Sequence, residues 1–388
     1  MKKRAQKPTS HPQKGAALLT ALLLLMSFTV QARAQEPAKE PELSARCAVL
    51  MDGISGRVLY AKNSQEEQPI ASITKIMTGL VAVERAGLNE KVLIKEEYTR
   101  TEGSSIYLKP GETVTMEELL YGLLLDSGND AALAIAGHLA GNTEKFAHLM
   151  NQKATSLGLH HTHFVNPSGL SADNHYSTAL DMAYITRAAM ENETFSKIFS
   201  TKTISIGSRY YKNHNRMLWE YPGAIGGKTG FTKQAGRTLV TCAKKGDHQW
   251  LIAVTLNAPN DWPDQTALFN YGFQSYPEAQ LCNANEEFCS LPVTGGIAES
   301  VALRPKESLL YPLREGEEVK SSVELPEVLP APIQSGSLAG TLRYTLNGMV
   351  IGKTDLVYAE SVQRKKPPTL WQRISHPNRK EKDQVFSQ

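Results

Sequence analysis

A long helix-patterned block between two groups of strand-like runs is the feature that most constrains the fold of this chain. Between about residues 115 and 192, apolar residues recur at helical spacing in MEELLYGLLLDSGNDAALAIAGHLAG, EKFAHLMNQKATSLGL and STALDMAYITRAAMEN. Runs typical of β-strands precede the block in ARCAVLMDGISGRVLYAKN and follow it in TKTISIGSRYY, GRTLVTCAKKG and HQWLIAVTLNAP. This order predicts an α+β fold with an antiparallel sheet flanked by helices and an inserted helical subdomain.

The N-terminal segment 1–34 predicts a secretory signal peptide. A basic start precedes an apolar stretch that is shorter than a usual membrane span, and the small residues Ala32 and Ala34 frame a cleavage site. An uncleaved membrane anchor is the alternative interpretation. Either interpretation predicts an exported protein, with its folded part outside the cytoplasm.

The rest of the chain divides by composition. The predicted segments are a Pro/Glu linker at 35–44, the main α+β domain at 45–275, a second linker at 276–295, a small all-β domain at 296–360 and a basic tail at 361–388. An Asn347-Gly348 pair predicts a hairpin turn within the small domain.

The formal net charge of +3 arises from the predicted signal peptide. Six of the 42 basic residues and none of the acidic ones lie in 1–34, so 36 basic residues face 39 acidic ones after cleavage. We therefore expect no nucleic-acid partner. The tail at 361–388 holds seven basic and two acidic side chains, which makes it a separate basic element.

Ser72 and Lys75 stand three residues apart, where a loop gives way to the helix-periodic run ASITKIMTGL. A serine at this point is also a good helix N-cap, and about one Ser-x-x-Lys match is expected by chance in such a chain. On a helix, however, Cβ atoms three residues apart are about 5–6 Å from each other, so the amine can reach the hydroxyl. A lysine activates a serine when burial or a second cation disfavours its charged form.

Two further polar motifs follow in order. Ser127 and Asn129 lie in a break within helical sequence, LLLDSGNDAA, and Lys228, Thr229 and Gly230 begin a predicted edge strand in AIGGKTGFT. This ordered set resembles the motifs of serine β-lactamases and penicillin-binding proteins, and within them the low-molecular-mass serine D-alanyl-D-alanine carboxypeptidases. The stretches HTHFVNPSGLSADNHYSTALDMA and NHNRMLWE also resemble segments of these carboxypeptidases, except that Ser168 replaces the family's histidine.

The resemblance implies catalytic roles for three residues. Ser72 would be the acylated nucleophile, Lys75 its general base and Ser127 the proton relay toward the leaving group. The other implied roles concern substrate binding: Asn129 for the substrate amide, Lys228 and Thr229 for the terminal carboxylate with help from Arg216, Gly230 as the third residue of the strand motif, and the backbone N–H groups of Ser72 and Phe231 as an oxyanion hole.

The implied activity is an exported D,D-carboxypeptidase that removes the terminal D-alanine from peptidoglycan stem peptides, uses no cofactor and is inhibited by covalently bound β-lactams. A D,D-endopeptidase and a catalytically weak penicillin-binding sensor or scaffold are the alternatives. A β-lactamase is not expected, because the region between the second and third motifs contains VNPSGL where class A enzymes carry a deacylating glutamate.

Other chemistry is not predicted. His160, His161 and His163 have no carboxylate or cysteine ligand at useful spacing, so no metal site is expected. The GKT sequences ending at Thr229 and Thr354 lack the first glycine of a phosphate-binding loop, so no nucleotide site is expected.

The cysteines give one pairing prediction. Cys282 and Cys289 are close enough in sequence to close a small loop, and export permits oxidation, so we expect them to form a disulfide. The resemblance places a further strand between those of Cys47 and Cys242, so we expect these two thiols to remain unpaired.

The resemblance also implies that the tail lies on the outer face of the cytoplasmic membrane. Leu370, Trp371 and Ile374 form a short apolar face near Arg373, but Pro377 ends any helix after barely two turns. A solvated tail is an equal alternative.

Overall fold

The computed structural model describes the backbone of residues 21–27 and residues 38–366, which form two compact units. The main unit contains residues 38–278 and 312–316, and the small β unit contains strand 21–27 with residues 279–311 and 317–366. Among the described residues, no helix is both long enough and apolar enough to span a bilayer. The residues predicted to form the apolar face of the tail lie outside the described part.

The main unit has a block of helices, between residues 116 and 199, that lies between two groups of strands, as the sequence predicts. Its strands are β2 (Cys47–Asp52), β3 (Val58–Lys62), β4 (Lys91–Leu93), β5 (Thr113–Thr115), β6 (Thr203–Ile206), β7 (Arg209–Lys212), β8 (Ala224–Thr232), β9 (Gly236–Lys245) and β10 (Gln249–Leu256), and β1 is the strand Ala21–Ser27 of the small β unit. Its helices are α1 (Lys75–Arg85), α2 (Glu96–Thr99), α3 (Met116–Leu124), α4 (Asn129–Ala140), α5 (Thr143–Ser156), α6 (Ala179–Met190), α7 (Glu193–Phe199), α8 (Met217–Glu220) and α9 (Asp261–Ser275).

One antiparallel sheet organises the main unit. Its strand order is β3-β2-β10-β9-β8, which confirms the predicted hairpin of β2 and β3 and places β8 at the edge. All six residues of β2 are buried. Val49 and Met51 join the apolar cluster that contains α1, α3, α4 and α6, whereas Ala48 and Leu50 join the cluster that contains α9. The sheet is therefore covered on both faces, which confirms the predicted α+β arrangement.

The small β unit consists of mostly antiparallel strands and short connections. Its strands after β1 are β11 (Glu278–Cys282), β12 (Cys289–Thr294), β13 (Ser300–Pro305), β14 (Leu309–Pro312), β15 (Val319–Pro326), β16 (Leu329–Pro330), β17 (Leu338–Leu346) and β18 (Met349–Tyr358). Seven strands form one sheet in the order β1-β15-β17-β18-β13-β12-β16, and β11 pairs with β14. Within the larger sheet, β12 and β16 form a parallel pair.

Two sequence predictions about this unit have different outcomes. The Asn347-Gly348 turn is confirmed, because both residues have positive φ and connect β17 to β18. Residues 276–295, predicted to be a linker, instead contain β11 and β12. Alternation of half-buried and exposed residues in short strands gives too weak a periodic signal to separate them from a connection.

The disulfide prediction is wrong, because all four cysteines are free thiols. Cys282 and Cys289 lie on strands of different sheets, and the sulfur of Cys282 contacts the carbonyl oxygen of Glu307 at 3.7 Å. Closeness in sequence therefore does not bring these two thiols together. Cys47 and Cys242 are buried on β2 and β9, and β10 lies between them, as expected.

Candidate active site

The nucleophile candidate lies in a 3-10 turn, Ala71–Thr74, that leads into α1. Ala71 has a φ of 49°, a left-handed conformation that is uncommon for alanine. Helix α1 begins only at Lys75, and its N-cap residue Thr74 makes no side-chain capping bond. The helix-cap interpretation of Ser72 is therefore not supported, since its hydroxyl instead lies 3.1 Å from the Lys75 amine.

Lys75 is completely buried at the first turn of α1. Its amine reaches three oxygens: Ser72 Oγ at 3.1 Å, Asn129 Oδ1 at 2.7 Å and the Ser168 carbonyl at 2.5 Å. Burial, and then the charge of Lys228, lowers the pKa of Lys75 well below its ordinary value. This confirms the expectation that an apolar helix start and a second lysine together favour the neutral amine.

The neutral amine fits this set of contacts. Its two N–H groups match the Asn129 and Ser168 acceptors, so the remaining lone pair is directed at the Ser72 hydroxyl. The family's histidine at position 168 is replaced by serine here, yet the contact to Lys75 comes from the backbone carbonyl. The replacement therefore leaves this interaction in place.

The loop 166–170 packs against the nucleophile turn. The Asn166 side chain accepts bonds from the backbone N–H groups of Ser168 and Gly169 and donates to the Leu170 carbonyl, which fixes the loop internally. Gly169 has a φ of 83°, and a Cβ placed there would lie 2.0 Å from the Ala71 carbonyl oxygen. Only glycine permits this close approach.

The His175 side chain contacts the nucleophile turn through Thr74. Its Nδ1 accepts the backbone N–H of Val165 at 3.1 Å, and its Nε2 lies 2.9 Å from the Thr74 hydroxyl, which itself donates to the Ala71 carbonyl. These partners require a neutral imidazole that carries its proton on Nε2. Burial lowers the pKa of His175 to about 4, in agreement with the neutral form.

The second motif occupies the junction of α3 and α4. Ser127 is buried with a φ of 63°, and Asn129 is the first residue of α4. Asn129 donates through Nδ2 to the Glu102 carbonyl at 2.7 Å while its Oδ1 accepts from Lys75. The first two motifs, which are separated by about 50 residues in sequence, are thus directly bonded to each other.

Asp130 was not singled out from the sequence. Its buried carboxylate accepts the Ser105 hydroxyl at 2.6 Å and the backbone N–H groups of Ile106 and Leu108 at 3.0 Å. These bonds hold the loop 104–108 against α4, and Ser104 of that loop lines the cleft. In the sequence, the only feature that could have indicated a role for Asp130 was its position directly after Asn129.

The third motif lies on β8. Lys228 is buried, and its amine donates to the Thr229 carbonyl at 2.8 Å. Burial lowers the pKa of Lys228 to about 7, although Asp126 opposes the shift. A Cβ added at Gly230 would lie 2.8 Å from the Ser72 backbone nitrogen, so β8 passes directly beside the nucleophile turn. Thr238 of β9 adds a bond to the Ile70 carbonyl at 3.0 Å.

Together these elements enclose one cleft. Its lining contains the predicted residues Ser72, Ser127, Thr229, Gly230 and Phe231. It also contains residues that the sequence analysis did not single out, namely Ser104, His214, Arg237, Asp261 and Trp262.

Arg216 is not among the residues that line this cleft. It lines a neighbouring groove with Lys212 and Trp219, and its guanidinium is bound by Glu220 at 2.6 Å. Its guanidinium carbon lies 5.8 Å from the ring centroid of Trp262, which lines the cleft, and its role in carboxylate binding stays a prediction. The spacing of Arg216 and Glu220, four residues apart on a helix, was a signal for this ion pair.

The site and fold are those of a serine D,D-peptidase, and comparisons identify the family. The model of the D-alanyl-D-alanine carboxypeptidase family matches residues 33–260, and the model of the penicillin-binding protein 5 C-terminal domain matches residues 276–364. The chain therefore belongs to the D-alanyl-D-alanine carboxypeptidase family.

Individual relatives agree with this assignment. The chain is 34% identical to the D-alanyl-D-alanine carboxypeptidase DacF of Bacillus subtilis over 89% of this chain and 95% of that protein. The structure of penicillin-binding protein 5 from Haemophilus influenzae matches with a TM-score of 0.69 and 31% identity, over 84% of this chain and all of that one. A variant of the Streptomyces K15 DD-transpeptidase matches with a TM-score of 0.58 and 35% identity, over 60% of this chain and 99% of that one.

Proposed function

We propose that this protein is an exported D,D-carboxypeptidase that releases the terminal D-alanine of peptidoglycan stem peptides through an acyl-enzyme on Ser72. The observation that carries the proposal is the buried Lys75 amine, which lies 3.1 Å from the Ser72 hydroxyl and is saturated by two other acceptors. Membership of the carboxypeptidase family supports the same reaction.

Acylation begins with transfer of the Ser72 proton to neutral Lys75 as Oγ attacks the carbonyl carbon of the penultimate D-alanine. The developing oxyanion is bound by the backbone N–H groups of Ser72 and Phe231. The close approach of β8 to the turn at Gly230 supports this pair of donors. Lys75 then returns its proton through the Ser127 hydroxyl to the leaving nitrogen as the C–N bond breaks, and D-alanine departs.

Substrate binding uses β8 and the residues at the junction of α3 and α4. Lys228 and Thr229 hold the terminal carboxylate, and Asn129 binds the amide of the acyl part. Water then hydrolyses the ester to restore Ser72. The cleft loop 166–170 supplies no glutamate side chain, so we expect the penicilloyl ester to persist.

Intact-mass analysis tests the nucleophile. Wild-type protein should gain one penicilloyl group and release D-alanine from diacetyl-Lys-D-Ala-D-Ala, and Ser72→Ala should do neither. An adduct that persists on Ser72→Ala would refute the assignment, and penicillin turnover of many per second would refute a long-lived ester. A sensor or scaffold would form the adduct but release no D-alanine.

Contact of the tail with the membrane surface is a separate part of the proposal. Arg364, Lys365 and Lys366 are exposed at the end of the described residues, where they can meet anionic lipid. Deletion of residues 364–388 should reduce sedimentation with anionic liposomes at low salt and leave D-alanine release from a soluble peptide unchanged. Equal sedimentation of both proteins would show that the tail is no anchor.

A further inference from the structure

The cleft contains an ion pair to which the proposed mechanism gives no role. Arg237 on β9 contacts Asp261, the first residue of α9, with 3.0 Å between Nε and Oδ1. Its guanidinium carbon lies 5.9 Å from the ring centroid of Trp262. All three residues line the same cleft as Ser72.

The proposed reaction fixes the direction of the substrate in the cleft, and the inference rests on that function. Lys228 and Thr229 hold the carboxylate end, and the reacting carbonyl lies at the N–H groups of Ser72 and Phe231. The chain that precedes the scissile bond therefore continues along β8 past Phe231.

Arg237 lies beside that continuation. The antiparallel register pairs Arg237 with Phe231, and paired strands lie about 4.8 Å apart. An extended peptide advances about 3.3 Å per residue, so the residue before the acylated D-alanine lies just beyond the oxyanion hole. This is the third residue of a stem pentapeptide, and its side chain meets the wall formed by Arg237, Asp261 and Trp262.

The Arg237 side chain is much more exposed than the side chain of its partner Asp261. The Arg237 side chain is 45% exposed, whereas the Asp261 side chain is only 4% exposed. Asp261 Oδ1 engages Nε and also accepts the backbone N–H of Trp262 at 3.1 Å. The contact through Nε orients the guanidinium and leaves its two terminal nitrogens as donors for a carboxylate.

The charge of Arg237 also restricts which side chains of the substrate can bind beside it. A lone cation on the substrate would be repelled by the exposed guanidinium, and a neutral acyl group would leave its donors without a charged acceptor. A side chain that ends in a carboxylate is complementary to the two terminal nitrogens of the exposed guanidinium.

We propose that Arg237 and Asp261 form a specificity subsite for a third stem-peptide residue whose side chain ends in a carboxylate, as that of diaminopimelate does. Arg237 binds the carboxylate, Asp261 orients Arg237, and Trp262 packs against the alkyl part. Peptides with lysine or acylated lysine at this position bind more weakly.

Three peptides that end in D-Ala-D-Ala test the subsite, with meso-diaminopimelate, L-lysine or Nε-acetyl-L-lysine as the third residue. We expect kcat/KM to be about tenfold higher for the diaminopimelate peptide than for the acetylated one, which corresponds to about 1.4 kcal/mol. Arg237→Gln should remove most of this preference. Arg237→Lys keeps the positive charge but loses the paired N–H donors of the guanidinium, so its kcat/KM ratio should lie between those of wild type and Arg237→Gln.

Controls separate this inference from folding and from the proposed function. Arg343→Gln removes an arginine from a carboxylate pair in the small β unit and should keep the preference. The Kd values of the three peptides for Ser72→Ala protein should show the same order without turnover. Release of D-alanine from none of the peptides would refute the proposed function, whereas equal Kd values would overturn the subsite. An equal loss for all peptides in both Arg237 variants would overturn it too.

Discussion

The cleft of the main unit and the sheet of the small β unit bury polar groups to very different extents. In the main unit, Lys75, Lys228 and Asp130 are at most 1% exposed, whereas the buried polar residues of the small β unit are Ser321 and Thr354 among those described. Burial of a charge costs free energy unless partners compensate it. The comparison teaches that the main unit gives up stability for reactivity at the two buried lysines, whereas hydrogen bonds compensate the burial of Asp130.

Backbone conformation shows the same contrast. Ala71, Tyr107 and Ser127 have positive φ in the main unit and lie in or next to cleft segments, and none of them is asparagine or glycine. The corresponding non-glycine residue described in the small β unit is Asn347, which forms an ordinary hairpin turn. Strain of about 1–3 kcal/mol per residue is typical of functional sites.

The strongest test of this comparison is Lys75→Met, which removes the buried amine but keeps much of its volume. We expect kcat/KM for D-alanine release to fall by at least about 10³-fold, because Ser72 loses its base. Thermal unfolding should occur at an equal or higher temperature, since a desolvated amine is removed. Activity within tenfold of wild type would contradict the role of Lys75.

Asp130→Ala should have the largest effect on stability. It leaves the backbone N–H groups of Ile106 and Leu108 without their acceptor, so we expect a loss of about 3–5 kcal/mol in the free energy of unfolding. Urea denaturation measures this loss. Glu324→Ala, which removes an exposed carboxylate in the small β unit, is the matched control.

Lys228 gives a pH-dependent test. Its pKa falls from 10.5 when unfolded to about 7 when folded, so the unfolded state binds more protons between these values. Stability from this group is complete above pH 10.5 and is lost as the pH falls toward 7. Lys228→Met should therefore unfold at a higher temperature than wild type at pH 7, and the difference should disappear near pH 10.5. A difference that is independent of pH would contradict the shift.

The smallest effect is expected in the small β unit. Arg343→Ala breaks a surface pair with Glu324 at 3.8 Å, so the free energy of unfolding should change by less than about 1 kcal/mol. D-alanine release should stay within experimental error of wild type. A loss of several kcal/mol would mean that polar contacts matter as much in this unit as at the cleft.

Local patterns in the sequence were sufficient for most of the fold and for the three motifs. The helical block, the β2 and β3 hairpin and the edge position of β8 follow from periodicity and turn residues. The contact of Lys75 with Asn129 was not predicted, because no local pattern joins residues 54 positions apart.

The errors of the sequence analysis arise from long-range packing. The role of Arg216 stays a prediction, whereas Arg237 was missed because strand register, not sequence proximity, brings it to the cleft. The pairing of Cys282 with Cys289 was inferred from proximity alone, although their strands belong to different sheets. Asp130 was overlooked because its partners lie more than 20 residues earlier.

The contact between Gly169 and the Ala71 carbonyl has a consequence for laboratory evolution of this enzyme. Any side chain at position 169 would displace the backbone that carries the nucleophile, so a mutant library that randomises this side of the cleft should yield few active clones. The opposite wall is more permissive, since the Phe231 side chain is 66% exposed and Arg237 is half exposed. New substrate preferences should therefore arise at positions 231 and 237, while the loop 166–170 stays unchanged.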